Sequence, residues 1–132
     1  MDVVAHFKGA RMQSVPAGLI LFNEGEPGKD MYVLIKGTAE VSIGGDVVEV
    51  AGPGTLLGEM ALVNSALRSA TVVTRTDCQV VSVDVRQFDM LVRESPEFAR
   101  HVMSVMAERL RRMNERLREA IGELSVRGRR PR

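Results

Sequence analysis

From residue 15 to residue 85 the chain is a series of short apolar runs punctuated by glycine, a pattern that suits strands and turns rather than helices. Residues 15–22 are apolar but interrupted by Pro16 and Gly18, and a polar loop follows over 23–30. Residues 31–35 lean to β-structure and stop at Lys36-Gly37. Over 38–43, Ala39, Val41 and Ile43 alternate onto one face, the period of a half-buried strand. Gly44-Gly45-Asp46 predicts a hairpin, because glycine reaches positive φ without steric cost. The return strand spans 47–50 and ends at Gly52-Pro53-Gly54, and two more strands, 70–74 and 79–85, flank Arg75-Thr76-Asp77. Short strands so spaced predict an antiparallel β-roll of jelly-roll type rather than a parallel sheet.

The period changes after Asp84. Residues 86–94 read as a short helix closed by Ser95-Pro96. Ser95 can cap a second helix and Pro96 can occupy its first position, where a missing N–H costs little. That helix is predicted from Pro96 to about Gly122. Met103, Met106, Leu110, Met113, Leu117, Ala120 and Leu124 step by three and four along it, a heptad seam that predicts pairing with a second copy. The alternative is that the stripe packs on the roll. The fold class is therefore α+β: a short N-terminal segment (1–14), a β-roll with its short helix 86–94 (15–94), a long C-terminal helix (95–124) and a basic tail (125–132).

Composition removes several function classes. With 132 residues, 45% hydrophobic and 27% charged, the chain fits one globular domain. A formal charge of +1 supplies no general pull toward nucleic acid or anionic membrane. No apolar run approaches the roughly 20 residues of a membrane-spanning helix. Residues 1–13 lack the pattern of a signal peptide, and a lone Cys78 gives no disulfide framework, so a cytoplasmic location is expected. His6 and His101 stand far apart and Cys78 is the one thiol, which leaves no clustered metal ligands. His101 reads as an ordinary polar residue on a helix flank. No paired nucleophile and base is visible, and metal-dependent β-barrel enzymes need strand histidines that this sequence lacks, so no enzyme is expected.

The segment with chemical content is 54–71. Gly58 can open a helical turn through Leu62 whose free N–H groups suit an anion. Arg68 arrives just before the next strand with a planar guanidinium suited to two phosphate oxygens, while Ser69 adds a hydroxyl and Ala70 an amide. Glu59 would repel a phosphate but can accept from a sugar hydroxyl. A carboxylate and an arginine at this spacing match a ligand carrying hydroxyl and anion together; an ion pair between Glu59 and Arg68, clipping a loop, explains the spacing equally well.

The ordered set Pro16-Ala17-Gly18, Glu24-Gly25 with Gly28, Met31-Tyr32, Gly37, Gly54, Gly58-Glu59-Met60-Ala61-Leu62 and Arg68-Ser69-Ala70-Thr71 resembles the cyclic-nucleotide-binding domain family. The likeness covers about 15–117. It implies a phosphate-binding cassette in which Arg68 takes the cyclic phosphate, Ser69 and the Ala70 amide add hydrogen bonds, and Glu59 takes the ribose 2′-hydroxyl. Gly58, Met60 and Ala61 would border the sugar-phosphate. The resemblance also implies that the C-terminal helix touches the purine, which makes Arg109, Met113 and Asn114 candidates. Asn114 is preferred, because its amide both donates and accepts. Leu57 and Leu67 depart from the phenylalanine and proline common in the family. The chain continues into no helix-turn-helix, so no DNA-binding domain is expected, and the tail arginines read as solvated. The resemblance implies a non-catalytic sensor with no cofactor, binding cAMP in preference to cGMP and relaying this through its long helix to an unidentified effector protein. The alternative is a ligand-independent dimeric adaptor with a degenerate pocket.

Overall fold

The computed structural model describes residues 1–64 and 67–128; the tail residues 129–132 lie outside it. Eight strands form two four-stranded antiparallel sheets facing each other, as the spacing of the short apolar runs predicts. The first sheet has the order β1 (Gln13–Val15), β8 (Cys78–Val83), β3 (Met31–Lys36), β6 (Leu56–Leu57). The second runs β2 (Ile20–Phe22), β7 (Thr71–Thr74), β4 (Ala39–Ile43), β5 (Asp46–Ala51). The helices are α1 (Val3–His6), α2 (Glu59–Asn64), α3 (Val85–Glu94) and α4 (Pro96–Gly128).

The run over 15–22 is two strands on different sheets: β1 pairs with β8 and β2 with β7. Pro16 has no N–H for a ladder, and Gly18 at φ +81 turns the chain between them. The Gly44-Gly45 hairpin forms with both glycines at positive φ, 59° and 87°, and sets Ile43 opposite Asp46. β6 is too short to leave a periodic signal, and α1, capped by Asp2 accepting from the Ala5 amide at 3.1 Å, was not anticipated in the N-terminal segment. α3 begins at Val85 under a capping box, with Asp84 and Gln87 bonding each other's backbone at 2.8 and 2.9 Å. Ser95 Oγ accepts from the Phe98 amide at 3.2 Å at the start of α4. α4 itself runs past the expected end, to Gly128.

Two cores result, and β3 serves both. Its alternation sends Tyr32 and Leu34 into the roll, where they meet Phe22, Val41, Val72 and Val80. Met31 and Val33 point the other way, onto Phe7, Val81, Phe98 and Val102 beneath α1 and α4. A strand buried on both faces reads as continuous apolar sequence, which is why 31–35 shows no alternation. Met106, expected in the exposed seam, is half-buried against this second core. Among the described residues no helix is long and apolar enough to cross a membrane.

Candidate functional site

Arg68 sits in the loop between α2 and β7, and its backbone is held to the loop between β2 and β3. Its amide donates to the Glu26 carbonyl at 2.8 Å, and its carbonyl accepts from the Gly25 amide at 2.9 Å. The side chain then runs inward over aromatic rings. The guanidinium carbon lies 4.2 Å from the Phe22 ring centroid and 6.0 Å from that of Tyr32. Two glycines make the room: a Cβ on Gly28 or on Gly58 would overlap the Arg68 side chain, and Gly58 also stands at φ +75. Only 7% of Arg68 is exposed, and its Nη1 donates to the Gly58 carbonyl at a long 3.4 Å. Among the described residues no carboxylate lies within 4.0 Å of this guanidinium. A buried cation so weakly matched carries a desolvation cost that its neighbours among the described residues do not offset.

Glu59, the first residue of α2, is 2% exposed. It does not pair with Arg68, so the loop-clip alternative fails. Its Oε1 instead accepts from Arg109 Nη1, one turn beyond Val105 on α4. Arg109 is itself fully engaged: Nη2 donates to the Leu56 carbonyl at 2.6 Å, and Nε and Nη2 each approach Glu49 at 3.4 Å. Burial works to lower the Arg109 pKa, but the charge and hydrogen bond of Glu59, and then those of Glu49, outweigh it and raise it above the ordinary guanidinium value. Arg112 Nη1 joins Glu49 at 3.1 Å, and Arg116 Nη2 donates to the Val48 carbonyl at 3.3 Å. Three arginines thus fasten α4 along β5.

The structure brings Gly58, Glu59, Arg68 and Arg109 to one end of the roll. Ala61 and Ala70 are buried beside them, at 5% and 8% exposure, and Ser69 is exposed at the rim. Met60 points outward, and Met113 and Asn114 lie on the exposed part of α4. Sequence reasoning did not find the aromatic floor of Phe22 and Tyr32, nor Glu49 and the Leu56 carbonyl behind Arg109. These come from four strands far apart in sequence, and no local pattern links them. A cleft of about 550 Å³ between the N-terminus, Pro53, Thr55 and α4 includes Arg109 and Arg112 but neither Arg68 nor Ser69. Volume and chemistry disagree there, and the unmatched buried charge is the stronger guide to a ligand, because it carries a desolvation cost that a partner must offset.

The family model for the cyclic nucleotide-binding domain matches residues 12–95. The chain is similar to a cyclic nucleotide-gated potassium channel of Mesorhizobium japonicum, 36% identical over 102 residues, covering 77% of this chain and 28% of the channel. It is also similar to a CRP-like cAMP-activated global transcriptional regulator of Mycobacterium tuberculosis, 29% identical over 111 residues, covering 80% of this chain and 50% of the regulator. Among solved structures, the Thermus thermophilus catabolite activator protein superposes with a TM-score of 0.74 at 27% identity, covering 83% of this chain and 54% of that one. The chain therefore spans half or less of the curated relatives it matches. With eight strands in two antiparallel sheets and a long helix closing them, the chain belongs to the cyclic nucleotide-binding domain family, a family of regulatory sensors rather than catalysts.

Proposed function

We propose that this chain binds a 3′,5′-cyclic purine nucleotide, cAMP or cGMP, in the end of the roll marked by Arg68 and Glu59, and passes that binding to a partner through α4. The observation that carries the reading is the contrast between a buried Arg68 without a carboxylate and a buried Glu59 already held by Arg109. The cyclic phosphate would take the guanidinium of Arg68, the Ser69 hydroxyl and the Ala70 amide. Glu59, with Oε1 occupied by Arg109, would accept the ribose hydroxyl on its other oxygen. Gly58 and Ala61 would border the sugar-phosphate, with Met60 at the opening. The purine would lie toward α4, the side from which Arg109 enters. The resemblance favours cAMP, and the curated regulator is named for activation by it.

Calorimetric titration of nucleotide-stripped protein with cAMP and cGMP, repeated on Arg68→Ala, tests this. Saturable binding is expected, weakened by ~2–4 kcal/mol in the variant, the range for truncating one partner of a buried charge pair. Absence of binding to either nucleotide would turn the reading to a ligand-independent adaptor. The exposed stripe of α4, with Leu110, Leu117 and Leu124 each more than half exposed, would pair with a second copy on either reading.

A further inference from the structure

The strand β2 departs from regular alternation where it nears Arg68. Ile20 pairs with Val73 and Phe22 with Val72, so two steps along β2 answer one step along β7, and the extra residue is Leu21. In a regular strand Phe22 would share a face with Ile20, which is 56% exposed. The bulge instead turns two consecutive residues, Leu21 and Phe22, toward the core inside the roll, and Phe22 is 7% exposed. Bulges beside functional sites re-aim a side chain. Here the re-aimed side chain is the one whose ring lies against Arg68, with the guanidinium carbon 4.2 Å from its centroid.

A ring in this place has two uses. It can fill the core, for which any apolar side chain of similar volume serves, or it can hold a cation by its negative face, which only an aromatic ring does. The surroundings of Arg68 favour the second. The guanidinium has one long bond, from Nη1 to the Gly58 carbonyl at 3.4 Å, and no carboxylate within 4.0 Å among the described residues. The Phe22 face lies well inside the roughly 6 Å over which a ring attracts a cation, whereas Tyr32 stands at that limit, 6.0 Å away. Tyr32 stacks on Phe22 instead, with 6.1 Å between centroids and 21° between planes, and steadies the ring. The loop that leaves β2 also holds the Arg68 backbone, through the Gly25 amide and the Glu26 carbonyl. One strand and its loop thus fix both ends of Arg68.

We propose that Phe22 is the positioning residue for Arg68: its ring holds the guanidinium by its face in the ligand-free chain and leaves N–H groups at the edge for a phosphate. The inference rests on the nucleotide reading above. A ring face takes none of the five guanidinium N–H donors, so ring and anion act from different directions and do not compete. Without the ring, binding has first to fix a long, rotamer-rich side chain, which weakens it by about three- to tenfold. Because the effect passes through the phosphate, it is the same for cAMP and cGMP.

The test replaces Phe22 with phenylalanines carrying one, two and three ring fluorines, alongside Phe22→Leu. Fluorine withdraws electron density from the ring face and barely changes its shape, so core filling is kept while attraction for a cation is lost. Calorimetry with both nucleotides should show affinity falling with each fluorine, by about three- to tenfold in all. Affinity that stays level across the fluorinated series overturns the role of Phe22, while binding by the parent keeps the nucleotide reading. Affinity that rises with fluorine shows ring and anion competing and overturns it as well. A parent chain that binds neither nucleotide overturns the nucleotide reading, and the Arg68 Nε–H nuclear magnetic resonance then decides whether the ring holds the guanidinium. A ring-current shift in the parent that vanishes in Phe22→Leu supports that holding, and identical resonances in the two proteins overturn it.

Discussion

Two arginines reach into the same end of this roll, Arg68 buried and Arg109 half-buried, and they do so on opposite terms. Arg109 comes in from α4 and meets two carboxylates and a carbonyl. Arg68 comes in from the loop before β7 and meets the face of Phe22 and one carbonyl at 3.4 Å. Burying a charge costs several kcal/mol before its partners offset it, so the first arginine is explained by the fold alone and the second is not. The difference separates scaffold from site without reference to conservation or cavity size. Arg109 holds Glu59 in place; Arg68 has no carboxylate within 4.0 Å among the described residues.

The comparison breaks most visibly on stability. Arg109→Ala strands the buried Glu59 carboxylate and should lower unfolding free energy by about 3 kcal/mol, the lower end of the range for removing one partner of a buried pair, because Arg109 is partly exposed. Arg68→Ala in ligand-free protein should change it by less than about 1 kcal/mol, since little is bonded to the guanidinium. Urea denaturation of both variants measures the contrast. Equal losses would mean that Arg68 is structural after all. Following Arg109→Ala with Glu59→Gln should recover much of the loss, because the orphaned charge is then gone.

The glycines around Arg68 sharpen the distinction. Gly58→Ala places a methyl at φ +75, against the guanidinium and 3.3 Å from the Phe22 ring, and should cost about 1–3 kcal/mol of stability as well as nucleotide binding. Gly28 has no such backbone constraint, and the three atoms nearest its added Cβ all belong to the flexible Arg68 side chain. Gly28→Ala should therefore leave the unfolding midpoint nearly unchanged while weakening nucleotide binding about tenfold, or ~1.4 kcal/mol. Thermal melts and calorimetry on the two variants separate the effects. A Gly28→Ala protein that binds like the parent would show that Arg68 is free to move aside without consequence.

These residues also mark how far the sequence could be read. The strands of the roll were visible because glycine and apolar alternation are local signals, and the hairpin at Gly44-Gly45 follows from backbone sterics alone. The single run over 15–22 hid a change of sheet, since an apolar run does not say which neighbour it pairs with. Gly58, Glu59 and Arg68 stood out as a short cassette within one stretch of chain. Their partners did not: Phe22, Tyr32, Glu49 and the Leu56 carbonyl reach the site only through sheet pairing and the passage of α4 along β5. Spacing left open an ion pair between Glu59 and Arg68, whereas the fold pairs Glu59 with Arg109, fifty residues later in the chain. Long-range electrostatic choice is a property of packing, and periodicity carries no record of it. The stripe along α4 shows the same limit more mildly: its apolar residues were legible, but that Met106 lies half-buried against the second core depends on the side of the helix that the roll has taken.

The smallest expected effect extends the comparison to a third basic group. His101 lies on α4 two turns before Arg109, and its Nε2 is buried without a hydrogen-bond partner among the described residues. Where carboxylates raise the pKa of Arg109, burial lowers that of His101 below the ordinary 6.5; the nearby amino terminus adds to this and Glu97 opposes it. The unfolded chain then takes up a proton near pH 6.5 while the folded chain resists it, so the unfolded state binds more protons as the pH falls below that value. Stability should accordingly decline between about pH 7 and the lowered folded pKa, and His101 should contribute no slope at higher pH. The ring is partly exposed, which keeps the effect small. Urea midpoints of the parent chain at about pH 8 and about pH 5.5 would show the decline, and His101→Gln, which does not titrate, should flatten part of it. An unaltered slope in that variant would place the acid sensitivity elsewhere and leave the comparison to Arg68 and Arg109, which differ in the partners they meet.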